Sequence, residues 1–386
     1  MLQTITQIIS VITVLQLLLF SVFLLSVKRK SLNHFILTAF LIVNALFIIN
    51  FLIPALERFF NISLIHFRFI GFSFGFLFGP LLYFFTKFLI YKNFRLKKTD
   101  SIYIIPFLIH SATMIFAFHI LSEEVKIKLL YSNNVLPIWI SHFNFLFLNL
   151  QILCYMAASV KLINDYGKEL KNVYAAIENI NLSWLKLILY AFIFMWIIDF
   201  SHFILRYITN LSRIAHQIMT FVSLSINFVF AIVLVLKALR HPELFFVIEQ
   251  KQEKSKYENS PLSKDQSELY LKKLIAFMKS EKPYLVPSLT INILSERISL
   301  QPKILSQVIN ENMQQNFFDF INHFRIEEAK EILSNPIGNK TVLEILYEVG
   351  FNSKSVFNTA FKKHTGITPT QFKRQVHQAL VPNRVA

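Results

Sequence analysis

Cysteine and glycine are scarce in this sequence of 386 residues, which contains one cysteine and seven glycines. The single cysteine, Cys154, cannot form a disulfide within the chain, and a metal site built from several cysteines is excluded. The sequence has no glycine-rich phosphate loop, no dinucleotide-binding fingerprint and no kinase motif. We therefore expect a protein without enzymatic activity, cofactor or metal ion.

Acidic residues are also few, with 23 Asp and Glu against 39 Lys and Arg, a net charge of +16. Apolar residues make up 54% of the chain, 42 residues are phenylalanine, and the mean hydropathy is +0.49. Soluble proteins are rarely so apolar, so a membrane part is expected. Residues 263–386 hold 16 basic and 11 acidic residues, a net of +5 that leaves +11 for residues 1–262. Most of the positive excess therefore reflects membrane topology rather than affinity for nucleic acid.

Seven apolar segments are each long enough to cross a bilayer. They are Ile5–Val27, Phe35–Ile53, Leu64–Ile90, Ile102–Leu121, Leu136–Val160, Trp184–Tyr207 and Ile214–Leu236. The first is interpreted as a retained span, because its basic residues follow the apolar stretch rather than precede it. Residues 1–240 are thus predicted to form a bundle of seven transmembrane helices.

The short loops between these segments alternate in charge. Loops after the first, third and fifth segments contain Lys28, Arg29, Lys30; Lys92, Arg95, Lys97, Lys98; and Lys161, Lys168, Lys171. The other loops contain only Arg58; Lys126, Lys128; and Arg213. By the positive-inside rule, the N-terminus is predicted to be external and the C-terminus cytoplasmic.

Ionisable residues are concentrated in the outer half of this predicted bundle. Asp199, His202 and Arg206 follow one another at steps of three and four along the sixth segment. His119, His142 and Asn144 lie at a similar predicted depth. Such residues are costly in hydrocarbon, so we interpret all six as a candidate ligand site. The alternatives are a structural ion pair with histidines at the headgroup level, or a zinc site formed by His119, His142, His202 and His216.

Residues 241–262 are polar and interrupted by proline, and we interpret them as a cytoplasmic tether. Residues 263–386 then form a separate domain. It opens with an amphipathic helix at Ser267–Lys279, whose apolar face holds Leu271, Leu274, Ile275 and Met278.

The stretch from Thr341 to Lys373, TVLEILYEVGFNSKSVFNTAFKKHTGITPTQFK, predicts two short helices separated by a corner at Gly350. This is the pattern of a helix-turn-helix. Ser353 is the predicted cap of the second helix, whose outer face carries Lys354, Ser355, Asn358 and Lys362. A similar pair lies upstream, where the second helix begins at Pro302 and exposes Lys303, Ser306, Gln307 and Asn310.

The runs SLTINILSERISLQPKILSQVINE, FFDFINHFRIEEAKEILS and EVGFNSKSVFNTAFKKHTGITPTQFKR together resemble the DNA-binding domain of AraC-type bacterial regulators. The resemblance implies two helix-turn-helix units joined by a long helix, with double-stranded promoter DNA and RNA polymerase as partners. Ser295 and Leu346 stand where the family has Ala, and Gln301 stands where it has a capping Ser or Thr. Base contacts are expected from Lys303, Gln307, Lys354 and Asn358, and phosphate contacts from Arg325, Lys362 and Lys363.

The sequence therefore predicts an all-α chain: a seven-transmembrane-helix bundle followed by a cytoplasmic AraC-like domain. The leading hypothesis is a one-component regulator of the bacterial inner membrane. It would be in contact with lipid and respond to a small or membrane-borne ligand, with coupling through the sixth and seventh spans and the tether at residues 237–261. A homodimer is compatible with this hypothesis but not required by it. The alternatives are a transporter or enzyme with an attached regulatory domain, and a membrane half that is only an anchor.

Overall fold

The computed structural model of the chain describes residues 1–26, 32–91, 94–132, 135–178, 180, 182–208, 212–240, 262–335 and 340–380. Within these ranges the protein is all helical. The one β-type pairing among them is an isolated antiparallel bridge between Tyr174 and Thr290. The predicted all-α class is confirmed.

The chain divides into two compact units. The first consists of Met1–Ile163 and Ser183–Gln252, and the second of Asn164–Leu182 and Glu253–Ala386. Residues 164–182, which lie between the fifth and sixth apolar segments, pack with the C-terminal helices in this division. The predicted tether lies outside the described residues except for Leu262.

The first unit is built mainly from long apolar helices. Its helices are α1 (Leu2–Ser26), α2 (Leu32–Phe60), α3 (Ile70–Phe74), α4 (Phe78–Ile90), α5 (Ile105–Met114), α6 (Glu123–Ser132), α7 (Ile138–Val173), α8 (Ser183–Ile208) and α9 (Arg213–Arg240). Helix α1 packs against α2 and α9, and α8 packs against α9. By length and composition, seven helical stretches among the described residues could cross a membrane, and each overlaps one of the seven predicted segments.

The third of these stretches is not one continuous helix. It begins as a 3-10 turn at Ile65–Phe67, passes through Phe69 with φ of 69°, and contains a second 3-10 turn at Gly75–Leu77 before α4. A residue in the left-handed region cannot continue a right-handed helix, so the chain is broken there. The third predicted span is therefore interrupted rather than one continuous helix. The fourth stretch ends in a π-helical turn at Ile115–His119.

The second unit contains α10 (Lys264–Glu281), α11 (Ile291–Arg297), α12 (Pro302–Met313), α13 (Phe317–Ser334), α14 (Val342–Glu348), α15 (Lys354–Thr365) and α16 (Pro369–Leu380). Helix α13 contributes to both of its hydrophobic cores. Phe317, Phe320 and Ile321 pack into the core around α10, α11 and α12, and Ile326, Ala329 and Leu333 pack into the core around α14 and α15. Two helix pairs joined by one long helix are thus present, as the resemblance implied.

Each helix pair turns at a residue with positive φ. In the second pair, Gly350 has φ of 91°, and the Phe351 amide donates to the Leu346 carbonyl at 2.9 Å. In the first pair, Ser299 has φ of 56°, and the Leu300 amide donates to the Ser295 carbonyl at 2.9 Å. A Cβ on Gly350 would lie 2.7 Å from the Tyr284 carbonyl oxygen. The second turn therefore requires glycine both for its positive φ and for this close approach of the backbone.

We predict that Gly350→Ala destabilises the second unit much more than Gly366→Ala. Gly366 also has positive φ, at 82°, but a Cβ there meets nothing within 4 Å. The strained backbone should cost about 1–2 kcal/mol in either variant, and crowding at Tyr284 should add about 1–3 kcal/mol only at Gly350. Amide hydrogen exchange across residues 291–373 of the purified chain measures the difference. Equal losses would contradict the close contact at Gly350.

Candidate nucleic-acid interface

The second helix of each pair, α12 and α15, has one buried and one polar face. Leu305, Val308 and Ile309 of α12 are fully buried, as are Phe357 and Phe361 of α15. These side chains recur at helical spacing, so one face of each helix is buried in the core. The opposite faces consist of amide, hydroxyl and ammonium groups.

On α12 the polar face is partly organised by its own hydrogen bonds. Lys303 and Asn310 are exposed, while Ser306 and Gln307 are half-buried. The Gln307 side-chain amide donates to Glu311 at 2.9 Å, and the Asn310 amide donates to the Ser306 hydroxyl at 3.3 Å. Both bonds link residues one turn apart, so they restrict the orientations that these amides sample.

On α15, Lys354, Ser355 and Lys362 are exposed, and Asn358 is half-buried. Ser353 occupies the N-cap position, but its side chain makes no capping hydrogen bond. The predicted side-chain cap at Ser353 is therefore wrong. Gln301, which stands where the family has a capping Ser or Thr, likewise makes no side-chain cap on α12. A side-chain cap is instead present on α14, where Thr341 and Glu344 form a capping box. The hydrogen bond from the Thr341 amide lowers the pKa of Glu344.

Lys363 and His364 lie at the end of α15 that packs near α13. The Lys363 ammonium donates to the Asp319 carboxylate at 2.9 Å, although its side chain remains 62% exposed. Burial lowers the pKa of His364, and the neighbouring His323 and Lys363 lower it further. Positive charge at this end of α15 therefore comes from Lys362 and Lys363 rather than from the histidine.

Arg325 does not belong to this surface, contrary to the predicted phosphate contact. Its side chain is 1% exposed. The guanidinium donates to the backbone carbonyls of Tyr284, Val286 and Ala175 at 2.7, 3.0 and 3.1 Å. Burial lowers its pKa to about 10, so it remains charged at neutral pH. The sequence already carried the signal, since Arg325 is four residues from both Ile321 and Ala329, on the buried face of α13.

The candidate ligand site of the first unit is only partly assembled. The His202 and His216 rings are 2.9 Å apart between Nε2 and Nδ1. Asp199 is exposed and accepts a hydrogen bond from the Ser223 hydroxyl. His142 and Asn144 are half-buried on α7, whereas the Arg206 side chain lies outside the described residues. No group of three potential metal ligands is found in the part of the chain that the structure describes, which gives the zinc alternative no support there.

His119 belongs to a different cluster, which sequence reasoning missed. Its Nδ1 is 3.2 Å from the His66 carbonyl oxygen, and its own carbonyl accepts from the Lys126 ammonium at 2.8 Å. Lys126 is fully buried on α6, and its Nζ is also 2.7 Å from His66 Nδ1. The sequence contained one signal for the burial of Lys126, because it lies three and four residues before Leu129 and Leu130 on the same helix face. These two leucines pack against a small core formed by Ile65, Met114 and Phe118.

Comparison with known proteins now bears on the C-terminal unit. A family described as a helix-turn-helix domain matches residues 294–375. The C-terminal unit carries a helix-turn-helix domain. Such a domain implies binding to double-stranded DNA, and the match extends from α11 into α16.

Two curated relatives are similar over this region. An HTH-type transcriptional regulator in the cgkA 5′ region of Pseudoalteromonas carrageenovora is 54% identical over 50 residues, 13% of this chain and 28% of that protein. The melibiose operon regulatory protein of Escherichia coli K12 is 26% identical over 112 residues, 29% of this chain and 35% of that protein. The similarity therefore spans about a third or less of these relatives.

One similar solved structure is a transcriptional regulator from Chromobacterium violaceum, described as having an AraC-type DNA-binding domain. It is 17% identical, with a TM-score of 0.26, and the match covers 30% of this chain and 97% of that one.

Proposed function

We propose that the chain is a one-component transcription regulator of the bacterial inner membrane, whose AraC-type domain binds promoter DNA in the cytoplasm. The observation that carries this proposal is the presence, in one chain, of seven membrane-length apolar helices and a helix-turn-helix domain. The first unit senses a stimulus at or in the membrane. RNA polymerase is the partner in transcription, and a second copy of the chain is compatible with this mechanism.

In this proposal α12 and α15 both enter the major groove. Amide and ammonium groups suit base edges there, because each base pair presents a distinct set of donors and acceptors. Lys303, Gln307, Lys354 and Asn358 contact bases, with Ser306, Asn310 and Ser355 beside them. Lys362 and Lys363 contact phosphates, and Lys363 then exchanges or shares its bond with Asp319.

We predict that Asn358→Ala weakens binding at one base position of the operator by about 1–3 kcal/mol. The operator is first selected from random DNA with the purified full chain, and dissociation constants are then measured on every single-base variant. Lys362→Met should weaken all sequences equally and reduce the salt slope by about one, because a phosphate contact releases one counterion.

Lys330→Met is the matched control for Lys362→Met, because it also removes one lysine. Lys330 lies on α13, where it is ion-paired with Glu327, and is not among the proposed DNA contacts. It should leave both specificity and salt slope unchanged. A uniform loss on all sequences for Asn358→Ala would assign Asn358 to the phosphate backbone instead.

The second unit supports the proposed topology independently of loop charge. Residues 164–182, between the fifth and sixth apolar stretches, belong to the same unit as the helix-turn-helix domain. If α8 and α9 cross the membrane, two crossings bring the chain back to the side from which it started. The loop and the domain are then on one side, and DNA requires that side to be the cytoplasm.

We predict that reporter fusions after Lys30, Lys98 and Lys171 all report a cytoplasmic location, because these lysines lie in the basic loops. A fusion after Ser132, at the end of α6, should report an external location and serves as the opposite control. An external result at Lys98 would overturn the topology.

The stimulus site in this proposal lies on α8 and α9. Between these helices is an apolar groove of about 450 Å³, lined by residues such as Phe194, Met195, Val222 and Phe230. Asp199 lies one helical turn after Met195, a residue of the groove lining, and therefore on the same side of α8. A groove with an apolar body and an adjacent carboxylate suits a membrane-borne amphipathic ligand. We place Asp199, His202 and Arg206 in this site, with His142 and Asn144 as further candidates, whereas His119 belongs to the separate cluster with His66 and Lys126.

We predict that Asp199→Asn changes the stimulus dependence of transcription but preserves membrane insertion and operator binding. Placing a carboxylate in hydrocarbon costs roughly 2.5 kcal/mol or more. A purely structural residue at this position would not need a charge, so the cost favours a role in ligand binding. Target transcripts are followed by RNA sequencing over a panel of growth conditions at matched protein levels, with Ser201→Ala as the control on the same helix. If Asp199→Asn and His202→Ala both respond as the parent does, the cluster is structural.

The broken third apolar stretch favours transport as the second candidate function. Transporters bind substrates at interrupted helices near the middle of the membrane, and the chain at Phe69 and Gly75–Leu77 has such interruptions. The seven-helix unit would then couple flux to the regulator. Uptake of solutes by vesicles that contain the purified chain distinguishes the two candidates.

A further inference from the structure

The loop between α7 and α8 belongs to the DNA-binding unit rather than to the seven-helix unit. Helix α7 continues without interruption to Val173, and its residues from Asn164 onward are part of the second unit together with the loop as far as Leu182. By composition, residues 164–182 are an ordinary basic loop between two apolar segments. Its contacts give it a more specific role.

Backbone hydrogen bonds hold the loop against the start of the first helix pair. The Ala175 amide donates to the Leu289 carbonyl at 3.0 Å, and Tyr174 forms an antiparallel bridge with Thr290. Thr290 is the N-cap of α11, where its hydroxyl accepts from the Ile293 amide. The loop therefore contacts the N-cap residue of α11 and the residue before it.

Side chains of the same segment complete the core of the first helix pair. Ala175 is 1% exposed and packs in the cluster that contains Leu289, Ile291 and Phe320, with Val173 at its edge. The Lys171 ammonium lies 5.8 Å from the centroid of the Phe318 ring on α13, within cation–π range.

Arg325 connects the loop to the rest of the unit. One of its three carbonyl acceptors is Ala175, which is 150 residues away in sequence, and the other two, Tyr284 and Val286, precede α11. A buried guanidinium is costly when a donor loses its acceptor. Removal of the loop would therefore disturb the site that fixes α13 relative to α11 and α12.

We propose that residues 171–175 are a docking element that completes the first helix-turn-helix unit, so that operator binding by α12 depends on the loop between α7 and α8. The docking itself follows from the contacts, while the effect on operator binding rests on the proposed function. The docking element is the continuation of α7, whose earlier residues belong to the first unit, so the chain itself links α7 to the element that supports α12.

Disulfide cross-linking of the full chain in native membranes tests the docking. In a Cys154→Ser background, Tyr174→Cys is combined with Thr290→Cys, because residues paired in an antiparallel bridge have Cα atoms at disulfide distance. Rapid and nearly complete cross-linking on oxidation is expected, with parent-like amide exchange across residues 291–313 under reducing conditions.

The matched control combines Tyr174→Cys with Ser355→Cys on α15. Ser355 is more exposed than Thr290, so random collisions would cross-link the control pair at least as fast. Absence of the 174–290 disulfide, or equal yields for the two pairs, would overturn the docking.

The dependence of DNA binding on the loop is tested with Ala175→Glu and Ala176→Glu. Ala175 is buried and Ala176 is half-buried, so the same new charge is accommodated only at position 176. Ala175→Glu should speed amide exchange across residues 286–298 and weaken operator binding about tenfold, while Ala176→Glu should change neither. Equal operator affinities for the two variants would overturn this part of the proposal. Failure of the parent chain to bind DNA would refute the proposed function but leave the cross-linking result to decide the docking.

Discussion

The buried guanidinium of Arg325 is the interaction on which the arrangement of the C-terminal unit depends. A cation with almost no exposure is tolerated only where acceptors converge on it, and here three carbonyls from two distant parts of the chain do so. The guanidinium carbon is also 5.5 Å from the centroid of the Phe351 ring, which belongs to the second core. Arg325 thus contacts, from the middle of α13, the segment that precedes the first helix pair and the turn of the second pair. The spacing of α12 and α15 follows from that one helix, which packs into both hydrophobic cores.

Much of the fold follows from local sequence patterns. Apolar runs of bilayer length identified seven helical stretches, and apolar residues at helical spacing identified α11, α12, α14 and α15 with their buried faces. Gly350 was recognised as a turn because the sequence changes from one helical period to another there. These features depend on residues within one or two turns of each other, and the apolar and polar pattern of a single sequence records such relations directly.

Other features depend on partners distant in sequence, which no local pattern contains. Arg325 looked like a surface cation because Arg is usually exposed, and its acceptors Tyr284 and Ala175 could not be recognised. Lys126 was counted among the charges of an external loop, yet it is buried against His66 and His119. The break at Phe69 was also unforeseen, because an aromatic residue with positive φ has no signature in composition. In each case tertiary packing outweighed the usual preference of the residue type.

The contact between Ala175 and Arg325 has a consequence for how the protein is made. During synthesis the N-terminal part of a chain emerges and folds first. The Ala175 carbonyl therefore has no guanidinium donor until the 150 residues up to Arg325 have been translated. If α8 and α9 cross the membrane as proposed, both must insert during that interval and return the chain to the side where Ala175 lies. A chain that inserts only one of them carries Arg325 to the wrong side and cannot complete its first core. Folding of the DNA-binding unit would then depend on correct insertion of α8 and α9. A misassembled chain would have an incomplete domain, which proteases on either side of the membrane could degrade before it reached a promoter.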